Sequence, residues 1–126
     1  MSRTRSSARS AGTAFETLIA KGLAEALEDD RIERRARNGA KDRGDIAGVR
    51  FHGQRLVLEL KSPGRGQPLA LPAWTREAAT EAGNDDALCG LVIHKRHGTT
   101  NPLDQWVTFT VRDLVALITG QKQENS

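Results

Sequence analysis

Asp45, Glu59 and Lys61 are the residues of this chain whose types and spacing suit chemistry on a phosphodiester. Asp45 follows a glycine in Gly44-Asp45-Ile46, and Glu59 and Lys61 are separated by one residue in Leu58-Glu59-Leu60-Lys61. In an extended segment alternate side chains share a face, so Glu59 and Lys61 project together while Leu58 and Leu60 project oppositely. They then stand about 7 Å apart, at about 3.3 Å per residue. An aspartate brought to that face from a neighbouring strand completes a pair of carboxylates beside a cation. Mg²⁺ takes few protein carboxylates, keeps several waters and accepts substrate phosphate oxygens. Held by Asp45, Glu59 and the carbonyl of Leu60, it would lower the pKa of a bound water and polarise the scissile phosphate; Mn²⁺ is the substitute. Lys61 would orient the water or balance charge on the pentacovalent transition state. The plainer reading makes Glu59 and Lys61 surface charges on an edge strand and Asp45 a turn residue.

Convergence depends on register. Asp45, Ala47, Val49 and Phe51 alternate along one side of the preceding run. His52-Gly53-Gln54 reads as a three-residue hairpin loop, which sets Phe51 against Arg55 and Asp45 against Lys61, on a shared face. A two-residue loop shifts the pairing by one and turns Asp45 away, so the site rests on the turn or on a bulge.

The elements around this hairpin follow from periodicity. Residues 1–11, rich in Ser, Arg, Ala and Gly, read as a flexible basic arm. Phe15, Leu18, Ile19, Leu23, Ala26 and Leu27 recur at helical spacing over residues 13–27,. Strands are expected at 31–36, 44–51, 55–61, 88–94 and 105–110. Pro72 suits the first turn of a helix reaching residue 82, with Gly83 as its cap. Thr110 caps a last helix reaching Ile118, with Gly120 beyond it. Trp74 and Trp106 are read as core residues, base stacking being their other reading. The order αβββαββα predicts an α/β fold, a mixed sheet with helices on both faces. Residues 12–120 form the single domain and 121–126 a tail.

These residues resemble the PD-(D/E)XK nuclease superfamily, and within it the small Holliday junction resolvases of archaea and phages. The likeness rests on Glu16, Gly44-Asp45-Ile46 and Leu58-Glu59-Leu60-Lys61, in the order that family uses. Leu71-Pro72-Ala73-Trp74, the run Leu91-Val92-Ile93-His94-Lys95-Arg96 and Gln105-Trp106-Val107 are similar to phage resolvase-type proteins. Glycine precedes Asp45 where many members have proline, and Ser62-Pro63-Gly64-Arg65-Gly66 differs from many archaeal loops. The resemblance implies a restriction-endonuclease-like three-layer α/β/α core with a central mixed sheet. It also implies a Mg²⁺-dependent endodeoxyribonuclease acting on branched DNA as a Holliday junction resolvase. Glu16 would then reach the metal, directly or through water. Thr13-Ala14-Phe15-Glu16 is equally a capping box, which explains the glutamate without catalysis. Resolution needs paired cuts, which implies a homodimer. The alternatives are another nuclease of this superfamily, nicking or end-processing, and a DNA-binding module without catalysis.

Composition agrees. The 126 residues suit one domain, and the net charge of +3 is compatible with nucleic acid,. Arg3, Arg5 and Arg9 lie in the arm, and Arg34, Arg35, Arg37, Lys41 and Arg43 precede Asp45. With Arg65, Lys95 and Arg96 they are candidate phosphate contacts; a solvated face is the other reading. His52, His94 and His97 lack the spacing of a zinc site, and the single Cys89 excludes an internal disulfide,. There is no membrane-spanning run or signal-peptide core, so an intracellular location in a bacterium or phage-infected host is expected.

Overall fold

A computed structural model describes residues 4–35 and 44–124 of the chain. Helix α1 (Arg5–Ala26) starts at Thr4, whose hydroxyl accepts the Ser7 N–H at 3.1 Å. Residues 5–11, expected in an arm, are therefore helical. They have a cap and two alanines, Ala8 and Ala11, to favour a helix but no apolar stripe to reveal one,. Thr13 consequently lies inside the helix, and the expected capping box is not formed there. Phe15, Ile19 and Ala20 are its buried stripe.

The remaining elements run β1 (Glu33–Arg34), β2 (Ile46–Ala47), β3 (Arg50–Phe51), β4 (Gln54–Lys61), α2 (Leu71–Asn84), β5 (Cys89–His94), a 3₁₀ turn at Pro102–Asp104, β6 (Trp106–Thr108) and α3 (Val111–Thr119). Among the described residues they form an open mixed sheet in the order β1-β2-β4-β5-β6, with β3 extending the hairpin to β4. β4 and β5 are parallel, and the other pairs are antiparallel. A parallel pair needs a crossover, and α2 supplies it.

Alternation along β4 divides the core. Leu58 and Leu60 pack with Ile46, Ile93 and the α1 stripe on one face. Val57 packs with Ala82 and Ala87 on the other, beneath α2. Ala116 of α3 joins Leu88 and Cys89, with Leu56 and Leu91 against them, on the α1 side. Gly90 lets α2 sit close, because a Cβ there would run into the Ala78 carbonyl. Gly83 lies inside α2, which ends one residue later at Asn84 with Asp85 as cap, not at the expected glycine. Thr110 and Asp113 close a full capping box on α3, and Gly120 terminates it at φ 70°. No described helix is long and apolar enough to cross a membrane.

Candidate active site

The hairpin turn has two residues, not three. His52 and Gly53 both have positive φ, at 50° and 77°, and Phe51 pairs with Gln54. This is the twist that favours a two-residue turn. Left uncorrected, it would turn Asp45 away from Glu59. However, the chain carries an extra residue further along. Between the pairs Arg50↔Arg55 and Ile46↔Leu58, three residues of one strand face two of the other. The bulge falls at Gly48-Val49, where the Leu56 N–H still donates to the Val49 carbonyl at 3.0 Å. Gly48 has φ +94°, and a Cβ there would lie 2.5 Å from the Arg31 carbonyl oxygen. Only glycine fits that bulge.

The corrected register carries Asp45 to Glu59 rather than to Lys61. The Leu60 N–H donates to Asp45 Oδ2 at 2.8 Å, fixing that carboxylate at the edge of β4. A strand residue directs its N–H and C=O to the same neighbour, so the Leu60 carbonyl also points to the Asp45 edge. Asp45 and Glu59 are both buried, at 6% and 2% exposure.

Helix α2 brings two further carboxylates that were not among the expected site residues. Glu77 and Glu81 are one turn apart and share a helix face. Glu59, Glu77 and Glu81 each place an oxygen within 4.8 Å of the others. Their signal in the sequence was subtle: Trp74, Glu77, Ala78, Glu81 and Ala82 recur at helical spacing, so two glutamates lie within an apolar stripe. Glu81 is 2% exposed, which is unusual for a glutamate,.

Electrostatics make the cluster costly as it stands. Burial first, then the Asp45 and Glu81 carboxylates within hydrogen-bonding reach, push the Glu59 pKa far above the ordinary carboxylate range. Among the described residues, Glu59 Oε2 is buried without a hydrogen-bond partner. Among the described residues, four carboxylates converge around one cation, Lys61, whose Nζ is 2.8 Å from Glu77 Oε2. Burial alone would lower the Lys61 pKa, but the Glu77 hydrogen bond and the Glu59 charge outweigh it and raise it. Lys61 is thus a held cation, unsuited to act as a base near neutral pH. Crowded carboxylate oxygens with an excess of negative charge form a cluster, Glu59, Glu77 and Glu81, that could hold a metal ion,.

Glu16 is not brought to this cluster. Its Oε2 accepts from Arg34 Nε at 2.6 Å. Arg34 pairs with Ile46, on the face that α1 covers. Glu59 lies on the opposite face, beneath α2.

The expected phosphate contacts are dispersed. Arg5 and Arg9 lie exposed on α1, and Arg65 is exposed in the turn after β4. Arg34 is held by Glu16, and Arg35 approaches Asp85 at 3.5 Å. Arg96 is stacked over the Trp106 ring, and Lys95 is half-buried beside the end of β4, its N–H donating to the Lys61 carbonyl at 3.0 Å. Arg3, Arg37, Lys41 and Arg43 lie outside the described residues. Trp74 is half-buried against His94, whereas Trp106, also expected in the core, is 49% exposed because its strand is the sheet edge.

No protein-family model, curated protein or solved structure matches this chain.

Proposed function

We propose that this protein is a metal-dependent endodeoxyribonuclease that cleaves branched DNA, as a Holliday junction resolvase does. The observation that carries the reading is the meeting of Asp45 and Glu59 beside Lys61, reached only through a glycine bulge. Helices on both faces of the mixed sheet are compatible with a restriction-endonuclease-like three-layer core.

In this reading Asp45, Glu59 and Glu81 hold Mg²⁺ or Mn²⁺, with the Leu60 carbonyl at the same edge. When bound, the cation supplies a water of lowered pKa and neutralises charge on the phosphate. Lys61 stays protonated and donates to a non-bridging phosphate oxygen, where negative charge grows in the transition state. Glu77 holds that ammonium in place beforehand, so less ordering remains at the moment of reaction. The Leu60 N–H fixes the Asp45 carboxylate by one oxygen and leaves the other to a ligand. Glu16 has no part in the chemistry; it ties α1 to β1 through Arg34. Two coordinated cuts across a junction need two such sites, which a homodimer provides.

The deciding experiment compares four-way junction, flap, single-stranded and linear duplex DNA, each with Mg²⁺ and with chelator. Metal-dependent scission of the junction in preference to the others supports the resolvase reading. Scission of flap or nicked duplex instead makes the protein a different nuclease. Binding without scission in any metal makes it a DNA-binding module.

A further inference from the structure

Trp106 shares a line across the sheet with the catalytic lysine. Lys61 pairs with His94 on β5, and His94 pairs with Trp106 on β6. Directly paired residues project to the same face. Neighbouring strands are about 4.8 Å apart, so Trp106 stands about 10 Å from Lys61 along this row. That distance is about three stacked nucleotides at about 3.4 Å each. The middle of the row is covered, because Trp74 of α2 tilts over His94 with ring centroids 5.7 Å apart. The end of the row is open. β6 is the edge strand, α2 packs on β4 and β5, and Trp106 is 49% exposed.

The indole is also held ready. The Arg96 guanidinium lies 4.5 Å from its ring centroid. Arg96 is itself fixed by its N–H, which donates to Gln105 Oε1 at 2.7 Å. Gln105 Nε2 in turn donates to the Asn101 carbonyl at 2.9 Å, and His97 Nε2 meets the Pro63 carbonyl at 2.9 Å in the loop after Lys61. The turn bearing Arg96 is thereby tied to both the edge strand and the loop that leaves the site. An exposed indole with a guanidinium stacked on it is the chemistry that receives a nucleobase and its phosphate, without regard to which base it is.

We propose that Trp106 and Arg96 form a stacking platform for an unpaired nucleobase, so that the site takes DNA in which a base freed from its stack, as at an opened branch point, a flap or a gap, lies near the scissile phosphate. This rests on the nuclease reading for the position of the scissile phosphate but not for binding. A base in an intact duplex is stacked on its neighbours and cannot reach the platform; a base at a branch, flap or gap can.

The test uses the full chain in chelator, where no scission occurs; affinities are read from the anisotropy of end-labelled DNA, and a Trp74→Phe background makes Trp106 the fluorescent reporter for quenching in the parent. The probes are oligothymidylate and a linear duplex of equal length. Oligothymidylate is expected to quench Trp106 and the duplex to leave it unchanged. Trp106→Ala is expected to weaken oligothymidylate binding about tenfold, and Trp106→Phe less than about threefold, as loss and retention of one stacked base predict. Duplex affinity stays as in the parent. Arg96→Gln weakens oligothymidylate binding in the same direction. Equal affinities of Trp106→Ala and parent for oligothymidylate overturn the platform, as does an equal loss on both probes or a parent that binds neither. The Phe variant, which keeps an aromatic surface, separates lost stacking from a damaged edge strand. Scission in Mg²⁺ is measured separately. A parent that cleaves while Trp106→Ala binds normally removes only the platform. A parent that never cleaves but stacks thymine on Trp106 removes only the nuclease reading.

Discussion

Asp45 reaches Glu59 because Gly48 adopts a φ of +94° and lets the strand carry one extra residue. The two-residue turn and the bulge each shift the pairing by one, and together they return Asp45 to the face of Glu59. The site therefore depends on a residue that bears no functional group.

Gly48→Ala is expected to lower both stability and cleavage. The added methyl meets the Arg31 carbonyl and the backbone sits where L side chains are strained, a combination costing about 1–3 kcal/mol or more. Urea denaturation and cleavage rate measure the two effects. A variant with wild-type stability and rate would show that the bulge is dispensable.

Glu59→Gln is expected to separate folding from function. In chelator it should be more stable than the parent, because one carboxylate of a crowded buried cluster is gone. Its cleavage rate should fall at least about a thousandfold, the loss of several kcal/mol of transition-state stabilisation. Mg²⁺ or Mn²⁺ should raise the melting temperature of the parent more than that of the variant. Glu81→Gln should follow the same pattern; a Glu81 variant with unchanged metal response returns that residue to packing.

Lys61→Ala is expected to cut the cleavage rate at least about a hundredfold, while metal still raises the melting temperature. Glu77→Gln should act through Lys61 and cost less, since the ammonium stays in place without its holder. A surface ion pair of this exposure contributes at most about 1 kcal/mol to stability, so a stability change alone cannot explain a lost rate. If Lys61→Ala cleaves within about threefold of the parent, Lys61 leaves the mechanism.

Glu16→Gln is expected to remain active. Glu16 bonds Arg34 on the α1 face, and its loss should lower stability by about 1 kcal/mol or less. Arg34→Gln should have a similar effect on stability, and the double variant should cost no more than either alone. An inactive, fully stable Glu16→Gln would place the carboxylate in the chemistry after all.

His94 should give the protein an acid-sensitive step. It is 4% exposed, its Nε2 meets Thr108 Oγ1 at 2.8 Å, and burial lowers its pKa below 6.5. The folded state then binds this proton less readily than the unfolded chain. Stability is full above the unfolded pKa of 6.5 and falls as pH drops below it,. On a Glu59→Gln background, which removes the opposite slope of the raised Glu59 carboxyl, urea midpoints between about pH 5 and pH 7.5 should trace that fall, and adding His94→Phe should flatten it. A His94→Phe profile parallel to the parent would assign the acid step elsewhere.

Local pattern was enough for several parts of this molecule. Alternation over Leu56–Leu60 placed Glu59 and Lys61 on one face, because the strand period is a property of the backbone alone. The apolar run at Leu91–Ile93 marked a central strand, and Thr110 and Gly120 marked the ends of the last helix through capping chemistry that acts within a few residues. What tertiary structure decided is different in kind. The bulge at Gly48 follows from the approach of the Arg31 carbonyl, a contact across the sheet that no local pattern encodes. The entry of Glu77 and Glu81 into the site follows from how closely α2 seats on Gly90. The pairing of Glu16 with Arg34, rather than with a metal, follows from which face α1 covers. Each of these depends on where two distant segments meet, and such contacts are set by the packing of the whole core rather than by the residues beside them in the chain.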